Sequence, residues 1–178
     1  LILVEPEGGM SKTDREFYLM QGEIYTEQAF GTDGLNAESI DKLLDEKPEY
    51  YVFNGAADSF MKKPLVAKQG ENVRVFFGVG GPNKTSSFHV IGEIFDKAYP
   101  LASITSAPMT DVQTITVPPG GAAVTEFKVD VPGNYILVDH ALSRLQRGLK
   151  GVLKVEGQER ADIFKSHQSD GPAAHAGH

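Results

Sequence analysis

The sequence predicts an all-β fold, an antiparallel sandwich or barrel built from short strands. Three observations predict it. From Tyr50 onward, short apolar and β-branched runs follow one another along the chain. Turn residues punctuate these runs at Asn54-Gly55, Gln69-Gly70, Gly80-Gly81-Pro82-Asn83, Pro118-Pro119-Gly120-Gly121 and Pro132-Gly133. Strands do not alternate with long helical patterns, and no long internal repeat is present, which argues against a parallel α/β sheet.

In chain order, residues 1–4 form an apolar run that reads as a strand, broken by Glu5-Pro6-Glu7-Gly8-Gly9. With no initiator Met and no cap, this start reads as the last strand of a preceding unit. Residues 17–25 have strand composition. Asn36 is placed to cap a short helix over 37–45, with Ile40, Leu43 and Leu44 on one face and Pro48 beyond its end. Further strands are expected at 50–53, 65–68, 72–77, 87–91, 113–117, 123–129, 134–138 and 152–156. Within the third of these, Val73, Val75 and Phe77 alternate toward a core. Residues 139–147 suggest a short helix. Ser166 to His178, rich in Gly, Ala, Ser and His, reads as a disordered tail. The division is residues 1–49 as the end of a preceding domain plus interdomain linker, 50–157 as the main β-domain, and 158–178 as tail.

Composition narrows the function. With 40% hydrophobic residues among 178, the chain can bury a core. A net charge of -7 without a Lys/Arg cluster argues against nucleic acid. No apolar run approaches the roughly 18 residues of a membrane span. The absence of cysteine excludes disulfides, thiolate metal sites and a cysteine nucleophile within the chain. Gly78-Val79-Gly80-Gly81-Pro82 imitates a nucleotide-binding loop. It lacks a following helix pattern and a P-loop Lys-Ser/Thr, so it reads as a turn.

Five histidines remain as chemical candidates. His167, His175 and His178 lie in the tail. His89 sits in Ser86-Ser87-Phe88-His89-Val90-Ile91-Gly92, where alternation places Phe88 and Val90 on one face, His89 and Ile91 on the other. His140 ends the apolar strand Tyr135-Ile136-Leu137-Val138-Asp139. A strand histidine is commonly a hydrogen-bonded structural residue, but strand ends also carry site groups. A blue-copper centre needs a Cys thiolate, and a multicopper cluster needs His-x-His pairs. Neither is present, so the chain can offer copper only imidazole ligands to a site completed elsewhere.

An ordered set of motifs carries a resemblance. Leu1-Ile2-Leu3-Val4-Glu5-Pro6-Glu7-Gly8-Gly9, Asp14-Arg15-Glu16-Phe17-Tyr18 and Gln21-Gly22-Glu23-Ile24-Tyr25-Thr26 resemble the junction between the two cupredoxin domains of copper-containing nitrite reductases. Pro48-Glu49-Tyr50-Tyr51-Val52-Phe53-Asn54-Gly55 resembles the opening of their second domain. Gly80-Gly81-Pro82-Asn83, Ser86 to Lys97 and Tyr135 to His140 follow in the family's order. The wording is closest to the branch with the outer-membrane-anchored neisserial enzymes.

The resemblance implies a cupredoxin-type Greek-key β-barrel or sandwich with an N-terminal linker arm. It implies the C-terminal half of an enzyme that reduces nitrite to nitric oxide, in a trimer of two-domain subunits. His140 matches the ligand that the second domain gives to a type 2 copper shared with a neighbouring subunit. His89 matches the catalytic histidine. Ile91 and Leu142 would border the substrate pocket, and Gln113 and Thr114 would orient His89. The type 1 copper belongs to the N-terminal domain, which this sequence lacks, so the chain alone is expected to be inactive. A small copper protein or a cytochrome c is the expected donor, and the periplasm or the outer-membrane exterior the expected location. The alternative is a non-catalytic cupredoxin-like binding or scaffold domain with two structural histidines. A multicopper-oxidase domain is disfavoured by the missing His-x-His.

Overall fold

Alternation in one strand builds the core. Val73, Val75 and Phe77 are buried to 1% exposure or less, as their spacing predicts. The computed structural model describes residues 1–164. The strands are β1 (Arg15–Ile24), β2 (Tyr50–Phe53), β3 (Lys63–Lys68), β4 (Asn72–Gly81), β5 (Ser86–Ile91), β6 (Phe95–Tyr99), β7 (Met109–Val112), β8 (Ile115–Val117), β9 (Ala122–Lys128), β10 (Gly133–Asp139) and β11 (Lys150–Glu156). Two short helices, α1 (Ile40–Leu44) and α2 (Ser59–Lys62), and 3-10 turns at Pro100–Ala102 and Leu142–Arg147 complete the set.

The strands form two sheets. One runs β2-β1-β4-β9-β6-β7 and the other β3-β11-β10-β5-β8. Their inner faces meet through aromatic rings. Phe77 of the first sheet stacks on Phe88 of the second at 4.1 Å between centroids, and Phe88, Phe95 and Phe127 continue the row. Each such ring stabilises the fold by about 1.5–3 kcal/mol through burial. This is the two-sheet, cupredoxin-like sandwich that the strand pattern and the resemblance imply.

Several local expectations change. The sheets are mixed rather than antiparallel, because β1 runs parallel to β4 and β3 parallel to β11. Long connections separate the partners of each pair, as a parallel pairing requires. Residues 1–4 join no strand. Leu1 instead packs beside Tyr18 and Phe76 on the outer face of the larger sheet. The helix is shorter than expected and its N-cap position is Ser39. Asn36 turns back to the carbonyls of Thr32 and Gly34. Strand β6 and helix α2 had no clear signal, since each mixes polar residues into a brief apolar run.

The boundary at residue 50 divides one folded unit. β1 lies between β2 and β4, and Leu19 at its centre is fully buried. Residues 15–24 therefore belong to the sandwich rather than to a linker. The expected strand at 113–117 is shorter, β8 alone in the smaller sheet, and β7 just before it lies in the larger sheet. The chain crosses between sheets at Gln113-Thr114. Of the tail, residues 165–178, including His167, His175 and His178, lie outside the described residues.

Candidate metal and proton-transfer site

Strand β5 places the first histidine. Phe88 and Val90 turn inward and are fully buried, so His89 faces the outer side of the smaller sheet. It is nevertheless only 5% exposed. β10 runs antiparallel beside it, with Val138 opposite His89 and Asp139 opposite Phe88. This register turns Asp139 inward and brings His140, the next residue, to the outer side at the strand end. The His140 main-chain N–H donates to the Ser87 carbonyl at 2.8 Å. The two imidazoles lie 5.5 Å apart between centroids, their planes tilted by 42°. His140 is exposed where His89 is buried.

The sheet crossing supplies the partner of His89. Its Nδ1 lies 2.5 Å from the main-chain carbonyl oxygen of Gln113. A carbonyl only accepts, so Nδ1 carries a proton and Nε2 is left as the atom that gains and loses one. Of the two expected neighbours of His89, Gln113 stands beside its ring. Gln113 contributes its backbone rather than its exposed side chain, and no hydrogen bond from Thr114 reaches the ring among the described residues. Ile91 lies two residues along β5 on the same outer side, half-exposed, and Leu142 begins the 3-10 turn beyond His140, also half-exposed.

A cleft of about 350 Å³ adjoins Ile91 and is bordered by Tyr135, Pro132 and Phe164. It does not include either histidine. Glu93 lies nearby, its carboxyl pushed up to about 7 by burial and by the charges of Asp96 and Asp130.

Among the described residues, no group of three or more His, Cys, Asp or Glu is arranged to hold a metal ion. The ligand-like group is the exposed ring of His140, one imidazole beside a second that is already tied to a carbonyl. Imidazole suits copper, and a single one leaves most of a coordination sphere to other donors.

Sequence reasoning missed the residues that hold this strand end. Asp139, 1% exposed, accepts from the main-chain N–H groups of Ser87 and Ala141 at 3.1 Å each. Gln21 of β1 and Arg144 also donate to it. The signals were a carboxylate next to His140 and a glutamine inside the apolar run of β1.

No family model matches the chain. It is, however, 50% identical over 99% of its length to the "Copper-containing nitrite reductase" of Neisseria gonorrhoeae, and 49% identical to that of Neisseria meningitidis serogroup A. The chain is related to the copper-containing nitrite reductases along almost its whole length. It spans about 45% of the length of these two relatives. The copper-containing nitrite reductase of Alcaligenes xylosoxydans is 26% identical over 96% of the chain. Among solved structures, a copper-containing nitrite reductase from Thermus scotoductus matches 82% of this chain with a TM-score of 0.72 and 29% identity, and 31% of that chain is covered. The Nitrosomonas europaea copper nitrite reductase matches 83%, with a TM-score of 0.71 and 28% identity over 50% of that chain. A Campylobacter jejuni multicopper oxidase, 16% identical with a TM-score of 0.58, shares the fold alone.

Proposed function

We propose that this chain is the part of a dissimilatory copper nitrite reductase that gives His140 to a type 2 copper shared between subunits and His89 to proton transfer. The observation that carries the reading is the pairing of the two rings. His140 stands exposed at a strand end, and His89 lies 5.5 Å away with its Nδ1 held by Gln113. Reduction of nitrite to nitric oxide and water takes one electron and two protons. Bound copper would supply the electron and an open position for nitrite.

The chain's own residues handle the rest. His140 offers an exposed imidazole. His89, its Nδ1 tied to the Gln113 carbonyl, leaves Nε2 as the ring atom through which a proton would pass to bound nitrite. Ile91 and Leu142 line the approach. The remaining ligands and the type 1 copper belong to N-terminal domains, within a homotrimer fed by a small copper protein or a cytochrome c. The setting is the periplasm or the outer-membrane exterior.

The alternative, a non-catalytic cupredoxin-like binding or scaffold domain, draws on the incomplete ligand set among the described residues. One experiment separates the two. Copper is counted per subunit, and the type 2 signal recorded by electron paramagnetic resonance, in the full-length protein, His140→Ala and His89→Ala. Loss of type 2 copper in His140→Ala alone supports the enzyme reading. Copper unchanged in both variants would sink it.

A further inference from the structure

We propose that Asp139 is a positioning residue that sets the direction of His140 through a buried polar plug joining the two sheets. This rests on the reading of His140 as a copper ligand. The plug has members from three strands. Ser86 Oγ on β5 donates to Gln21 Oε1 on β1 at 2.7 Å, and Gln21 Nε2 donates to Asp139 Oδ2 on β10 at 3.0 Å. All three side chains are within 1% of full burial. β1 belongs to the larger sheet, β5 and β10 to the smaller, so the plug closes one end of the sandwich interior.

Asp139 acts on its neighbour from both sides. Its Oδ1 accepts the N–H of Ser87 on the adjacent strand and the N–H of Ala141 just after His140. The second bond is an Asx-type turn that bends the chain immediately past His140. Successive strand residues point to opposite faces, so holding Asp139 inside forces the His140 ring outward. Arg144 donates to the other carboxylate oxygen and to the Thr85 carbonyl, while its guanidinium lies 5.0 Å over the Tyr51 ring. The carboxylate therefore has four donors and almost no freedom. A strand end would ordinarily fray, whereas this one is fixed for the residue that faces outward from it.

Residues that orient a metal ligand typically carry a roughly 10–100-fold effect on metal affinity or activity when removed. In the full-length protein, Asp139→Ala should weaken type 2 copper about 10–100-fold in a chelator competition. It should also change the hyperfine splitting of that copper and lower kcat more than it raises the KM for nitrite. Asp139→Asn, which keeps an oxygen for the Ser87 and Ala141 N–H groups, should restore much of the affinity. Val155→Ala, at the far end of the same sheet, should lower the melting temperature and leave copper affinity unchanged. If Asp139→Ala does not fold, Gln21→Leu decides, with a smaller shift in the same direction expected. Native affinity and native hyperfine splitting in the folded variants would overturn the positioning role alone. Type 2 copper retained in His140→Ala would overturn the ligand reading beneath it.

Discussion

The main-chain carbonyl of Gln113 meets Nδ1 of His89 at 2.5 Å, at the point where the chain leaves one sheet for the other. The bond leaves Nε2 to exchange protons. Replacing His89 with Ala should leave type 2 copper bound while lowering turnover by about 10²–10⁴-fold, the usual scale of general acid–base catalysis. Steady-state nitrite reduction, set beside copper content, checks this. Unchanged turnover rules the role out.

Glu93 makes stability depend on pH. Burial, first, and then Asp96 and Asp130 raise its carboxyl from an ordinary 4.5 to about 7. Between these values the folded protein holds a proton that the unfolded chain has released. Stability from this group is therefore complete below about pH 4.5 and declines as pH rises through about 7. Glu93→Gln should raise the melting temperature at pH 8 and leave it nearly unchanged at pH 4. Equal shifts at both values would mean that packing, not ionisation, is at stake.

Arg74 anchors the N-terminal arm to the outer face of the larger sheet. Its guanidinium, 2% exposed, bonds Glu126 at 2.6 and 2.8 Å, Glu16 at 2.6 Å and the Ser11 hydroxyl at 2.9 Å. Arg74→Met should cost about 3–5 kcal/mol, because Glu126 stays buried with the partly exposed Lys97, 3.4 Å away, as its remaining cationic partner among the described residues. Arg74→Met with Glu126→Gln should lose less than Arg74→Met alone. Urea denaturation of both variants gives the comparison.

Gly148 ends the turn that follows His140. Its φ is +98°, and a Cβ there would lie 2.5 Å from the Ala57 Cβ. Gly148→Ala should destabilise by about 2–4 kcal/mol, combining the left-handed backbone with overpacking. Adding Ala57→Gly should recover only part of the packing loss, because the Ala57 Cα and the Tyr51 carbonyl oxygen would still lie 3.0 and 3.1 Å from the new Cβ. Full additivity in a double-mutant cycle would show that the two positions do not collide.

The sequence by itself determined what depends on neighbouring residues. Alternation in β4 and β5 placed Val73, Val75, Phe77, Phe88 and Val90 inside, and His89 and Ile91 outside, because side-chain direction in a strand follows a period of two. Turn residues located most strand ends, and His140 stood out as a polar group closing an apolar strand. The ordered motifs also named the family to which the relatives belong. Tertiary structure decided what depends on distant pairing. The parallel partnerships of β1 with β4 and β3 with β11, the switch of sheets at Gln113-Thr114, and the shift of residues 15–24 into the sandwich all follow from long-range hydrogen bonding that no local pattern encodes. The Gln113 carbonyl was illegible because every residue has one, and only the sheet crossing brings this one to His89. Nothing local marks Asp139 as buried, and it is a buried anchor because β1 brings Gln21 to it from 118 residues away.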